Sequence, residues 1–424
     1  MRMLTAPLLF AATLGAAPAP AAPIDDRVAD ATAAKAAGDF GAMEAALNVV
    51  LAMRPMHPRW SYHQAVARAK QGKTDGALVL LEQVAAQGAA YQPDTDPDLA
   101  ALAGSPRFDA IAQRFARNRA PTGATRVAFT LADRGLIPEG LACGADGSCF
   151  VSSVRRGSIT RVLADGSSRP FVVARRDGLW SALGLVLDPG RGLLWVASAA
   201  LPELDGLDPA ERGRTGVFAF ALGDGRLVHR FELPVDGKPH AFGDLRLLDD
   251  GRLLVSDQRG GLLYTLDAKD GRYKRLTTPG ALVSPQGAVV ARDGRSALIA
   301  DYALGLMKVS MVSGVVSRVL TLPEVCTYGI DGLYPHGDAL IAVQNGIRPQ
   351  RVVRFELDAA GRVARSTVLV ANDPRFSEPT LGAVVGDVFR FIANSQWDRF
   401  DGEGRLPPDA ELAAPLVLEL ALPH

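Results

Sequence analysis

From about residue 125 onward the chain alternates short apolar runs with polar turns, and one phrase returns six times. Each copy is an apolar strand opening on glycine, a tight polar turn, a second apolar strand, and then a small or polar residue. The copies run from Pro138-Glu139-Gly140 to Val151-Ser152-Ser153, from Leu183-Gly184 to Val196-Ala197-Ser198, and from Phe242-Gly243-Asp244 to Val255-Ser256-Asp257. The remaining three run from Pro285-Gln286-Gly287 to Ile299-Ala300-Asp301, from Ile330-Asp331-Gly332 to Val343-Gln344-Asn345, and from Thr380-Leu381-Gly382 to Ile392-Ala393-Asn394. Successive copies start 43 to 59 residues apart, the length of one four-stranded blade, so the repeat predicts a six-bladed β-propeller over residues 125–424. Eleven Asp-Gly pairs, among them Asp165-Gly166, Asp250-Gly251 and Asp293-Gly294, supply the positive φ that tight hairpin turns require. A ring must hide its open edges, and the apolar runs Thr125–Leu131 and Leu416–Leu422 are placed to pair in one composite blade. The Pro- and charge-rich insertion Leu201–Gly216 reads as a loop over one mouth of the channel.

The pattern before the propeller is different. Residues 25–118 are Ala-rich with helical spacing, as in Met43, Ala46, Leu47, Val50 and again in Ala77, Leu80, Leu81, Val84. Gly38 and Gly72 precede these two helices at a separation of 34 residues, and Pro55 closes the first unit. With that period the segment resembles a short tetratricopeptide array whose large aromatic positions are mostly Ala. Ser105-Pro106 opens a further helix with the face Phe108, Ile111, Ala112, Phe115. Such a segment either binds a protein partner in its groove or simply caps the propeller. Arg119–Gly123 is the linker.

Composition narrows the function classes. With 46 basic and 46 acidic side chains the chain has no net field to draw in nucleic acid or anionic lipid. A weakly basic start, the apolar run Leu4–Ala17 and the small-x-small sites around Ala19 and Ala21 read as a signal peptide over residues 1–21. A periplasmic or secreted protein without a membrane span is expected. Cys143 and Cys149 flank a hairpin turn symmetrically, as a disulfide or as two reduced thiols on neighbouring strands, while Cys326 reads as buried and inert. Gly-x-Ser-x-Gly, His-Glu-x-x-His, phosphate-loop and Cys-x-x-Cys motifs are absent from the sequence.

In a propeller the innermost strands line the channel, so residues beside each repeated glycine project near the axis. These are Glu139, Leu183, Asp244, Gln286, Asp331 and Leu381. Carboxylate and amide oxygens meeting there suit a hard cation of the Ca²⁺ or Mg²⁺ class, or merely line a wet channel. His240, three residues before Gly243, reads as a proton shuttle or a surface-loop histidine. Asp257, Asp301, Asn345 and Asn394 recur at strand ends, where they satisfy turn backbone groups. Asn345 and Asn394 are also placed to touch a small-molecule ligand, as is Asp244. Trp180 and Trp397 read as packing or as ring-stacking residues.

Ile137-Pro138-Glu139-Gly140, Ser284-Pro285-Gln286-Gly287-Ala288 and Gly329-Ile330-Asp331-Gly332-Leu333 resemble blade signatures of the senescence marker protein/gluconolactonase family of six-bladed propellers. The resemblance covers roughly residues 125 to 424. It implies one divalent cation on the axis, held by Glu139, Gln286 and Asp331, with Asp331 also the base that activates water for hydrolysis of a sugar lactone. Two positions depart from the family: Gln286 stands where an Asn is expected, and Gly243 where a polar Asn is expected. Two functions are therefore carried forward. One is metal-dependent hydrolysis of a lactone or ester; the other is a non-catalytic propeller and helical-repeat protein that binds a ligand or a protein partner.

Overall fold

The computed structural model describes residues 24–291, 293–401 and 404–423. The signal-peptide expectation for residues 1–21 lies outside that range. Six four-stranded antiparallel sheets form a six-bladed β-propeller, preceded by a small helical region. The innermost strands are Pro138–Cys143, Ser181–Asp188, Phe242–Leu247, Pro285–Val290, Ile330–His336 and Gly382–Val385, one for each copy of the repeat. The ring closes as the apolar patterning predicts: the strand Arg126–Thr130 pairs with Leu416–Ala421 and completes blade six from its outer edge.

Six buried apolar clusters join neighbouring blades. Between blades two and three, for example, Trp195 and Val217 pack with Phe242, Leu245 and Val255; between blades six and one, Phe129, Ile392 and Val417 pack with Leu141 and Val151. Each sheet is thus covered on both faces, which explains the continuous apolar strands in the sequence. Cys143 and Cys149 face each other across their hairpin and form a disulfide, and Cys326 is buried.

At the repeated glycines the inner strands crowd together. A Cβ on Gly140 would run into the Leu183 carbonyl of blade two, and one on Gly184 would meet Asp244 of blade three. In blades one to five the pairing register also slips at this point, for instance between Pro138 and Leu141 and between Ile330 and Gly332. A bulge re-aims the side chains it carries. Glu139, Gln286 and Asp331 sit in these slips and are buried.

The helical region comprises α1 (Ile24–Ala36), α2 (Phe40–Met53), α3 (Pro58–Lys70), α4 (Thr74–Ala86) and α5 (Pro106–Asn118). Gly38 and Gly72, both at positive φ, turn the chain between α1 and α2 and between α3 and α4. None of these helices is long and apolar enough to cross a membrane. The region docks on blades four to six through polar links to backbone. Tyr328 donates to the Pro55 carbonyl, the Ala90 amide to the Arg348 carbonyl, and Asn372 to the Asn118 carbonyl. Arg351, only 2% exposed, donates to Gln344 Oε1 at 2.8 Å and to the Gln87 carbonyl at 2.9 Å.

Removing that side chain orphans two buried acceptors and opens a void, so Arg351→Ala is expected to cost about 3 kcal/mol in denaturant unfolding. It should also expose residues 87–125 to limited proteolysis. Unchanged stability and unchanged cleavage would show that the docking does not depend on Arg351.

Candidate active site

Glu139 and Asp331, from blades one and five, are 6% and 8% exposed. Trp397 Nε1 donates to Glu139 Oε2 at 2.7 Å, and Asn345 Nδ2 donates to Asp331 Oδ2 at 2.9 Å. Gln286 is equally buried and donates its amide to Ser284 Oγ at 3.1 Å. Burial holds the Glu139 carboxyl well above its usual range, and the nearby Asp331 carboxylate pushes it further. Burial likewise raises Asp331, to about 7, against the hydrogen bond from Asn345; Glu378 and Asp244 add to the rise. Burial raises Glu378 and Asp244 too, each opposed by an arginine, Arg348 and Arg246 respectively. Like charges brought together away from water destabilise one another's ionised forms. Neither Glu139 nor Asp331 is in an ion pair among the described residues.

The donors available for an ion are all oxygen, the chemistry a hard divalent cation prefers. Asn345 Oδ1, beside Asp331, is buried and has no hydrogen-bond partner. Among the described residues no three His, Cys, Asp or Glu side chains are grouped to hold a metal by themselves. An ion here would meet Glu139 and Asp331 with the amide oxygen of Asn345, the remaining positions falling to water or ligand.

The other residues singled out in the sequence divide by position. His240 has both ring nitrogens engaged, Nδ1 at 2.5 Å from Asp257 and Nε2 at 3.1 Å from Asp236, so neither is free for a ligand. Asp257 and Asp301 accept from turn amides, as expected of strand-end carboxylates. Asn394 donates to the Ala414 carbonyl and accepts from the Leu416 amide, fastening the closing strand. In blade five the strand-end role belongs to Gln344, which pairs with Ile330 as Asp301 pairs with Pro285. Asn345 lies one residue further on, and this places it in the channel. Asp244 lines a separate cavity of about 290 Å³ at the lower end, with Arg246 and Tyr334. Arg246 donates to the Ala288 and Leu333 carbonyls of blades four and five. Trp180 packs edge-on against Phe218, whereas Trp397 holds Glu139.

Several site residues carry no motif. Gln258 and Tyr302 occupy the position equivalent to Asn345 in blades three and four, one past the strand-end Asp257 and Asp301. The amide of Gln258 fills the space a side chain at Gly243 would take. Tyr302 lies near enough to Asp331, Glu378 and Glu139 that its hydroxyl, already raised by burial, is raised further. Above them is a cavity of about 640 Å³, lined by Tyr302, Asn345, Arg348 and Glu378 from the propeller and by His57, Trp60 and His63 from the helical region. Another sector of the mouth is covered by the 201–216 loop, as its composition suggests: Leu201 packs with Ile137, Leu183, Ala241 and Leu412.

No protein-family model matches this chain, and no curated protein does. Solved structures similar to it include regucalcin, a calcium-binding protein from Agrobacterium tumefaciens. That likeness is 16% identity over 71% of this chain and 94% of the other, with a TM-score of 0.50. The PQQ-bound aldose sugar dehydrogenase of Streptomyces coelicolor is 13% identical over 71% and 99%, TM-score 0.48. A luciferin-regenerating enzyme is 12% identical over 70% and 95%, TM-score 0.49. At these identities the likeness shows the fold.

Asp331 favours its protonated form in the fold, so its contribution to stability is complete below 3.8 and disappears as pH rises through about 7. With chelator present, Asp331→Asn should match wild type near pH 4 and exceed it by about 3 to 4 kcal/mol at pH 8 in denaturant titrations. A stability difference that does not change with pH would contradict the buried, mutually repelling arrangement.

Proposed function

We propose that the protein is a hydrolase of a lactone or ester, acting at Glu139 and Asp331 with a divalent cation of the Ca²⁺ or Mg²⁺ class. The observation that carries this reading is the convergence of two buried carboxylates from distant blades with no cationic side chain to neutralise them. A group of that kind is costly to keep unless it serves an ion or a reaction. Regucalcin, built on the same ring, is a calcium-binding protein, in keeping with an oxygen-only donor set. The Cys143–Cys149 disulfide suits an exported protein.

Glu139 and Asp331 would hold the ion, with the amide oxygen of Asn345 beside them. When bound, a hard cation supplies Lewis acidity, polarising a carbonyl and lowering the pKa of water. Asp331, oriented by Asn345, accepts a proton from the attacking water as its oxygen adds to the substrate carbonyl carbon. The ring or ester C–O bond then breaks, and the proton passes to the departing alkoxide. Trp397 keeps Glu139 in a fixed orientation, and the covering loops exclude bulk water.

The reading predicts that purified protein retains a divalent ion and turns over a member of a lactone and ester panel, with activity lost on chelation and restored by Ca²⁺ or Mg²⁺. Asp331→Asn should reduce kcat by about 10²-fold or more, the usual loss for a positioned base. A protein that binds neither ion, or whose turnover ignores both chelator and Asp331→Asn, is not this enzyme. Ion and ligand binding without turnover would instead favour the non-catalytic propeller.

A further inference from the structure

The 640 Å³ cavity is where unsatisfied polar atoms collect. Thirteen buried side-chain atoms without a hydrogen-bond partner are found among the described residues, and five belong to residues lining this one space. They are Arg54 Nε, His57 Nδ1, Trp60 Nε1, His63 Nδ1 and Asn345 Oδ1. The residues lining the lower cavity contribute none among those described. Native proteins leave few buried polar groups unpaired, and a ligand seated in this cavity would supply partners beside them. Trp60 itself is only 9% exposed, so its indole N–H has little access to bulk water.

We propose that α3 and the Arg54 turn form the specificity half of the site, and that the ligand is a flat-ringed ester or lactone carrying a free carboxylate. This deepens the hydrolase reading and rests on the channel being the reacting end. The charge distribution supports an anion. Arg54, Arg59 and Arg348 all line the cavity, and none is in an ion pair among the described residues. Against these three arginines stand two acids on the walls, Glu378 and Asp398, and Glu378 Oε2 accepts from the Asp398 backbone amide at 3.0 Å. Indole and guanidinium N–H groups need acceptors, which a carboxylate provides in the bidentate geometry arginine favours. The aromatic walls call for a ring. Trp60, Tyr91 and Tyr302 line the space, His57 lies tilted against Tyr328 with ring centres 4.6 Å apart, and the Arg59 guanidinium lies 4.8 Å from the Trp60 ring centre. His57 and His63 are held neutral by burial, with pKa values near 3 and 4, so they offer hydrogen bonds without adding charge. The cavity volume is in the range of small-molecule sites.

Calorimetry with 4-methoxybenzoate and its neutral counterpart methoxybenzene tests the proposal without turnover. The anion should bind wild type at least tenfold more tightly than the neutral compound. Arg348→Gln combined with Arg54→Gln should abolish most of that preference, Arg348→Lys should retain it, and Trp60→Phe should weaken binding several-fold. Equal binding of the two compounds, no binding of the anion, or arginine variants that bind like wild type would overturn the proposal. Turnover separates it from the reading beneath it, with 4-acetoxybenzoate and phenyl acetate as substrates. Anion binding with these dependences but no hydrolysis of either ester would sink the hydrolase alone. Equal kcat/KM for both esters would sink the anion site alone.

Discussion

Six strands packed side by side around one axis leave no room for a side chain at the point of closest approach. This is the constraint on which the rest of the molecule depends. It accounts for the glycines at 140 and 184, whose missing Cβ atoms admit the neighbouring blade. It also accounts for the slip in pairing that accompanies them in blades one to five. Where the ladder slips, the residue beside glycine leaves the sheet plane and faces the axis. The chemistry of the centre is therefore set by which residue these five blades place there: Glu139, Leu183, Asp244, Gln286 or Asp331.

Placing Glu139 and Asp331 at two of those points is unfavourable to folding, because both are dry and the Asp331 carboxylate disfavours ionisation of Glu139. The surroundings offset part of that cost with one donor apiece, the Trp397 indole and the Asn345 amide. The remainder falls on the apolar clusters that join each pair of blades and on the strand that ties blade six to the start of the ring. A cation shared by the two carboxylates would turn mutual repulsion into common attraction. The same geometry then serves binding and, through Asp331, removal of a proton from water.

The propeller was readable because its signals are local and repeated. Glycine, an acidic turn and apolar strands recur in each blade, and the composite blade follows from unpaired apolar runs at its two ends. Glu139 and Asp331 were legible for the same reason, as each adjoins a repeated glycine. What escaped is what depends on contacts between distant segments. Nothing near Trp397 in sequence points to Glu139, and nothing in α3 marks His57, Trp60 or His63 as part of the propeller's entrance. Tyr302 and Gln258, which stand where Asn345 does in blade five, needed only a one-residue shift. They follow the strand-end residue, and pairing register, which sequence pattern does not reveal, separates the two positions. Asn394 and His240 look like site residues by composition, yet their polar atoms are committed to backbone and to carboxylates respectively.

The most direct test of a shared ion is diffraction from crystals grown with Ca²⁺ or Mn²⁺, using the anomalous signal to locate the metal. The account predicts one ion on the axis, its oxygen ligands including both Glu139 and Asp331 at about 2.1 to 2.6 Å. A channel without anomalous density at saturating metal, or an ion bound elsewhere with these two carboxylates unengaged, would contradict it.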